Sequence, residues 1–124
     1  MNSKKARIWG RDFDLRVVYQ NFPGEDVTSA QEKSAASTDK ADYSSALDMV
    51  KKYIKKWNAD ELGEDTDICN IFRYVIPKGF LIPRKDDKTA FAVMCNYKFD
   101  MEHGIAVLFE NGKCKEVGPQ DIVL

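Results

Sequence analysis

The fold is decided by residues 89–124, which read TAFAVMCNYKFDMEHGIAVLFENGKCKEVGPQDIVL. Apolar side chains occupy alternate positions over residues 91–99 and again over residues 105–109. A period of two residues is typical of a strand with one buried face. Asn111-Gly112 is a strong hairpin signal, because both central residues of a type I′ turn need positive φ. The sequence predicts an antiparallel β-meander, ending in a short strand over residues 121–124.

Upstream of the meander, the sequence predicts a second hairpin and one well-defined helix. Residues 13–19 alternate in the same way and follow a predicted turn at residues 10–12, which indicates an opening hairpin. Between residues 43 and 57, apolar side chains recur every three or four positions. That is the period of an α-helix with one buried face. We therefore expect a helix that covers the sheet.

Two further segments predict less regular structure. A short helix is expected over residues 28–36, because Thr28 and Gln31 have the spacing of a capping box, although its apolar stripe is thin. Between the helices and the meander, Pro77 and Gly79 interrupt an apolar stretch. Proline cannot donate a hydrogen bond to a central strand ladder. We therefore predict either an edge strand or two short strands around a bulge.

Together these elements predict an α+β fold, with residues 1–124 forming a single domain. The sheet is expected to be mostly antiparallel, built from the N-terminal hairpin and the C-terminal meander and covered by one main helix. Because strands do not alternate with helices, a parallel βαβ arrangement is not expected. The opposite sheet face is unusually apolar and would need to be covered by the first helix or by a second protein. That face would carry Val18, Ala92, Met94, Ala106 and Leu108.

Charge and composition restrict the partners. The 124 residues include 19 basic and 20 acidic side chains, giving a net charge of −1. A near-neutral chain has no global field to attract nucleic acid, and the lysines at 51, 52, 55 and 56 are typical of a solvated helix face. We expect no signal peptide and no membrane partner. Three cysteines, an odd number, indicate buried thiols in a reducing cytoplasm rather than disulfides.

The candidate binding residues are Asp100, Glu102, His103 and Asp121. His103 is the only histidine, and three of these groups fall within four positions. A small enzyme or metal-dependent protein would use them, but one histidine and scattered carboxylates match no standard metal spacing. The structural alternative is a tight turn in which Asp100 caps backbone amides and Gly104 takes positive φ. The pattern predicts no catalytic residue, no metal site and no cofactor.

Three sequence motifs resemble those of a family of small bacterial proteins of unassigned function. Residues 8–13 read IWGRDF, residues 100–113 read DMEHGIAVLFENGK, and residues 118–122 read GPQDI. The resemblance covers nearly the whole chain and implies an opening hairpin, one or two helices, a Pro-interrupted strand and a closing hairpin. It carries no established catalytic residues.

The same resemblance bears on function. Some small domains of this general kind occur beside polymorphic toxins as immunity proteins, which implies binding to a toxin-like protein. We therefore predict a non-catalytic protein-binding module, with an immunity protein against a toxin as its specific form. The alternative is the small enzyme or metal-dependent protein that would use the turn at residues 100–104.

Overall fold

The computed structural model describes residues 3–85 and 87–123. Within these ranges, one sheet contains the strands Ser3–Ile8 (β1), Arg11–Tyr19 (β2), Val75–Ile82 (β3), Ala90–Tyr97 (β4), Ile105–Glu110 (β5) and Lys113–Gly118 (β6). The α-helices are Ser29–Ser37 (α1), Tyr43–Trp57 (α2) and Ala59–Leu62 (α3). Short 3-10 helices lie at Thr38–Lys40, Ile71–Arg73 and Gln120–Ile122. The predicted α+β class is confirmed.

The strands lie in the order in which they occur in the sequence, and one neighbouring pair is parallel. β2 and β3 run in the same direction, with Arg16 opposite Gly79 and Tyr19 opposite Ile82. The other neighbouring pairs are antiparallel, so the sheet is mostly antiparallel as predicted. A parallel pair needs a crossover of a dozen or more residues, and the segment containing α1 and α2 supplies it. The expectation of no βαβ arrangement is therefore wrong for this pair.

β3 is a central strand with a bulge. It lies between β2 and β4, and its register with β4 shifts between Pro77 and Gly79. The predicted bulge is therefore confirmed, but it lies within one continuous strand and not between two short ones, and the alternative of an edge strand is wrong. β2 pairs only with residues 79–82 of β3. Pro77 is tolerated because it lies where β3 is paired with β4 alone, so its missing N–H costs no bond to β2.

The inner face of the sheet packs against α2, as predicted. Ala46, Val50 and Ile54 of α2 are completely buried and share one core with Phe91 and Phe109. The two phenylalanine rings stack with their centroids 4.8 Å apart. Burying each large apolar side chain contributes roughly 1.5–3 kcal/mol. None of the helices in residues 3–85 and 87–123 combines the length and the hydropathy needed to cross a bilayer.

α1 docks through polar side chains rather than an apolar stripe. Its predicted capping box is present, with the Thr28 N–H donating to Gln31 Oε1 and the Gln31 N–H donating to Thr28 Oγ1, both at 3.0 Å. Gln31 is completely buried, and its Nε2 donates to the carbonyl oxygens of Gln20 and Ile82 at 3.3 Å. Buried Ser34 accepts a hydrogen bond from the backbone of β4. Hydrogen bonds therefore fix a helix whose sequence offers little to bury.

The opening hairpin β1–β2 and the closing hairpin β5–β6 each turn through two residues with positive φ. Asn111 and Gly112 have φ values of 53° and 84°, which confirms the predicted type I′ turn. The first turn consists of Trp9 and Gly10, at 53° and 83°, and so begins one residue before the turn predicted at residues 10–12. Positive φ is uncommon for a bulky residue. The Trp9 Nε1–H donates to the Tyr43 carbonyl oxygen at 2.9 Å, and this bond holds the ring in place.

The segment of residues 119–123, named the C-terminal strap here, does not form the predicted strand. Gln120–Ile122 is a 3-10 helix, and residue 124 lies outside the described residues. The strand prediction is wrong for residues 121–123, because the N–H groups of Ile122 and Val123 donate to the carbonyl oxygens of Pro119 and Gln120 within the segment itself. The Gln120 N–H instead donates to the His103 carbonyl oxygen at 3.1 Å. That bond ties the strap to the turn between β4 and β5.

Candidate functional site

The outer face of the sheet carries the apolar residues that the alternating pattern assigned to it. Leu81, Ala92 and Leu108 form a small buried cluster that is separate from the main core. Met94 and Val123 pack against this cluster and are themselves only partly buried. The outer face is therefore apolar at its centre, even though α2 packs on the opposite face and does not cover it.

The strap, and not the first helix, covers part of this face. Ala35 of α1 packs against the main core, so α1 lies on the same side of the sheet as α2. Of the two alternatives for covering the outer face, the one that used this helix is therefore wrong. Helices in one crossover between two strands are carried to one side of a sheet by the right-handed connection. Val123 covers the outer cluster instead, and its carbonyl oxygen accepts from Gln20 Nε2 at 3.1 Å.

Beside the strap, a groove of about 430 Å³ remains on the outer face. Its lining includes Arg16, Val18, Lys78, Leu81, Met94 and Gln120. Val18 is 45% exposed, which is high for a valine in the interior of a strand. Among the described residues, neither Arg16 nor Lys78 forms an ion pair. The groove, named the outer groove here, thus combines an apolar floor with two cations free to meet a ligand.

Three polar residues of the outer groove were not predicted from the sequence. Arg16 could have been found, since it lies two positions before Val18 on the same face of β2. Lys78 is the extra residue of the bulge in β3, and its direction depends on the bulge geometry. Gln120 reaches the groove only because the strap folds back. Alternation in the sequence therefore indicates the position of Arg16, but it does not indicate the positions of Lys78 and Gln120.

The predicted binding residues lie in the β4–β5 turn and on the strap. Asp100 accepts from the His103 backbone N–H at 3.2 Å and contacts the His103 ring Nδ1 at 3.1 Å. Gly104 has φ of 60°, and its N–H donates to the Asp100 carbonyl oxygen at 2.9 Å. A Cβ at Gly104 would lie 2.5 Å from the Cys95 carbonyl oxygen. The segment therefore forms the closed turn described by the structural alternative.

Electrostatics in this turn favour a charged His103. Its pKa lies above the ordinary value because the ring bonds to Asp100 and feels the charge of that carboxylate, with smaller effects from Glu102 and Asp121. The pKa of Asp100 is lowered, first by the His103 backbone N–H and then by the ring. Glu102 contributes a backbone carbonyl, which accepts from Gln120 Nε2 at 3.4 Å. All four predicted residues therefore share one neighbourhood, with Asp100 and His103 in direct contact.

The described residues give these groups no obvious metal chemistry. No group of three or more His, Cys, Asp or Glu side chains in residues 3–85 and 87–123 is arranged to hold a metal ion. What the Asp100–His103 pair can do is orient one imidazole ring and favour its protonated form. Its most direct consequence here is to hold the turn that anchors the strap.

The cysteines only partly match the prediction of buried thiols. All three are free. Cys95 is buried, and burial raises the pKa of its thiol. Cys114 is half-buried, and burial raises its pKa to about 11. Cys69 is exposed, so the prediction is wrong for that residue, which precedes the 3-10 helix Ile71–Arg73 in an open loop.

Fold and site define an α+β protein with a mixed six-stranded sheet, helices on one face and a partly open apolar groove on the other. The chain belongs to the family described as a domain of unknown function, DUF6985, whose model matches residues 3–124. This match confirms the resemblance to a family of unassigned function. Neither the curated proteins nor the solved structures contain a match to the chain.

Proposed function

We propose that this protein is a non-catalytic binding module that acts in the cytoplasm by masking a partner protein, with a toxin as the specific partner. The observation that carries the proposal is the outer groove, where Val18 stays 45% exposed beside a buried apolar cluster. Apolar surface with a polar rim is typical of protein–protein contact sites. The immunity form is supported by the sequence resemblance described above.

The position of the groove supports a preformed binding surface. Its floor includes Leu81 of β3 and Met94 of β4, two strands that are each paired on both sides. The sheet fixes the backbone of these central strands, so little backbone ordering is needed when a partner binds. A masking protein needs such a surface and needs no turnover of substrate.

Co-expression tests this proposal. The reading frame beside the gene is expected to stop growth when expressed alone, and growth is expected to return when this chain is co-expressed. Val18→Glu places a charge on the groove floor and is expected to reduce survival at least about tenfold. Val27→Glu is the matched control, because Val27 is 37% exposed and lies in the loop before α1. It is expected to protect like the unaltered chain.

Two results would count against the proposal. If the neighbouring product is harmless and no protein co-purifies with the chain, the binding function is wrong. If both valine variants lose protection equally while remaining folded by circular dichroism, the outer groove is not the masking surface.

One observation favours the second candidate function, a small enzyme that uses Asp100, Glu102 and His103. The His103 side chain is 45% exposed while a carboxylate orients its ring, as in many general-base histidines. His103→Gln separates the candidates. It is expected to leave protection intact if the chain only binds, whereas an enzymatic role requires that protection disappear in a variant that remains folded.

A further inference from the structure

We infer that the outer groove binds an extended segment of a partner protein in which an aliphatic side chain is flanked by carboxylates. The inference rests on the proposed binding function and deepens it by naming the chemistry of the partner segment. Three features of the described residues support it: the apolar floor, the strap that already lies on this face, and the charge of the rim.

The floor suits an aliphatic side chain. Val18, Leu81 and Met94 offer methyl and thioether groups, and no Asp or Glu side chain is among the described residues that line the groove. A volume of about 430 Å³ lies toward the small end of the range of ~300–1,000 Å³ for ligand pockets. Methionine adapts its shape readily, so the floor can accept different aliphatic groups.

The strap shows how a chain segment sits on this face. Its Val123 packs an aliphatic side chain against Leu81, Ala92 and Leu108. The outer groove continues the same surface, because Leu81 belongs to both and Gln120 of the strap forms one wall. A partner segment in the groove would therefore lie next to the strap and extend an apolar contact that the chain already makes with itself.

The rim determines the charge of the partner. Arg16 and Lys78 are both exposed and both line the groove. Asp14, the preceding outward residue of β2, lies opposite Lys5 of β1 in the strand register, so a basic residue stands across from it. Carboxylates on either side of the aliphatic group would meet these two cations, whereas a basic segment would meet like charges.

Methionine-methyl NMR on the full chain tests the inference with a defined probe. Met94 lines the groove, while Met49 lies on α2 and Met101 lies in the β4–β5 turn, so the latter two serve as internal controls. The probe is the blocked peptide Glu-Asp-Leu-Glu-Asp, and the comparison peptides are Lys-Lys-Leu-Lys-Lys and Glu-Asp-Ser-Glu-Asp. The leucine-containing acidic peptide is expected to shift the Met94 methyl signal saturably and to leave the other two unchanged.

Charge reversal provides the matched variants. Arg16→Glu combined with Lys78→Glu is expected to weaken the acidic peptide at least about tenfold and to favour the basic one. Lys52→Glu combined with Lys55→Glu, on the exposed face of α2, is expected to change neither. An unaltered main-core methyl spectrum confirms that each variant is folded.

Several results would overturn the inference. The first is that the Met94 methyl signal does not shift at millimolar concentrations of the acidic leucine peptide. The second is that the basic peptide or the serine peptide shifts it equally. The third is that the largest shift occurs at Met49 or Met101. Any of them leaves the growth-protection test to decide the proposed function separately. Loss of protection alone, with the peptide still bound at Met94, would count against the toxin partner and not against the groove.

Discussion

The ring Nδ1 of His103 lies 3.1 Å from each carboxylate oxygen of Asp100. The backbone N–H of His103 donates to the same carboxylate at 3.2 Å, so one aspartate both caps the turn and orients the ring. The His103 carbonyl oxygen accepts from the Gln120 N–H at 3.1 Å. This pair of residues thereby links the β4–β5 turn to the strap on the outer face of the sheet.

Asp100→Asn is expected to lower the pKa of His103. The hydrogen bond and charge of Asp100 are the largest causes of the raised pKa, so the pKa of His103 in the variant should move down toward its ordinary value. Because the pKa of His103 is raised in the folded protein, its contact with Asp100 stabilises the fold fully at pH values below the pKa of the unfolded chain. This stabilisation is lost as the pH rises through the folded-state pKa of His103. Proton NMR measures this cleanly, since the chain has one histidine. An unchanged pKa would contradict the contact.

Gly104→Ala is expected to destabilise the fold more than Gly112→Ala. Both glycines have positive φ, at 60° and 84°, so both variants carry a left-handed backbone cost of ~1–2 kcal/mol. At Gly104 the new Cβ would also meet the Cys95 carbonyl oxygen at 2.5 Å, while at Gly112 nothing lies within 4 Å. Urea unfolding should show a further loss of about 1 kcal/mol or more at Gly104. Equal losses of unfolding free energy in the two variants would show that the turn moves away from the Cys95 carbonyl oxygen without cost, which would contradict the prediction.

Gln31→Leu is expected to loosen α1 from the sheet. The variant keeps the approximate volume but removes the bonds from Nε2 to the carbonyl oxygens of Gln20 and Ile82, together with the capping bond that Oε1 accepts from the Thr28 N–H. The expected loss is roughly 1–3 kcal/mol, with faster amide exchange in α1 than in α2. Glu32→Leu, at the exposed neighbour, is the control and should change stability by less than about 0.5 kcal/mol. A similar loss in both variants would argue against polar docking.

Thiol labelling is expected to rank the cysteines by environment. Iodoacetamide should modify exposed Cys69 first and Cys114 more slowly, because burial raises the Cys114 pKa to about 11. Cys95 should react only after unfolding, since it is buried and burial raises its pKa. Peptide mapping by mass spectrometry over time gives the order, and denatured protein supplies the reference rate. Native labelling of Cys95 at the rate of Cys69 would contradict the placement of β4.

The sequence by itself determined the elements whose signal is local. Alternation in β4 assigned Phe91 to the core side and Met94 to the outer side, because successive strand residues point to opposite faces. The Asn111-Gly112 turn and the buried face of α2 could also be predicted, because each depends on residues that are close together in the sequence. In the candidate site, Asp100 and Gly104 revealed a closed turn, since capping and positive φ are preferences of single residues.

Only the tertiary structure decided what depends on residues far apart in the chain. Pro77 is accommodated in a central strand because β2 pairs with the other half of β3. Gln31 holds α1 through carbonyl groups at the ends of two strands, and Gln120 anchors the strap on the turn of His103. The outer groove arises where β2, β3, β4 and the strap meet. Such contacts gain their free energy from assembly, and no local pattern of residues encodes them.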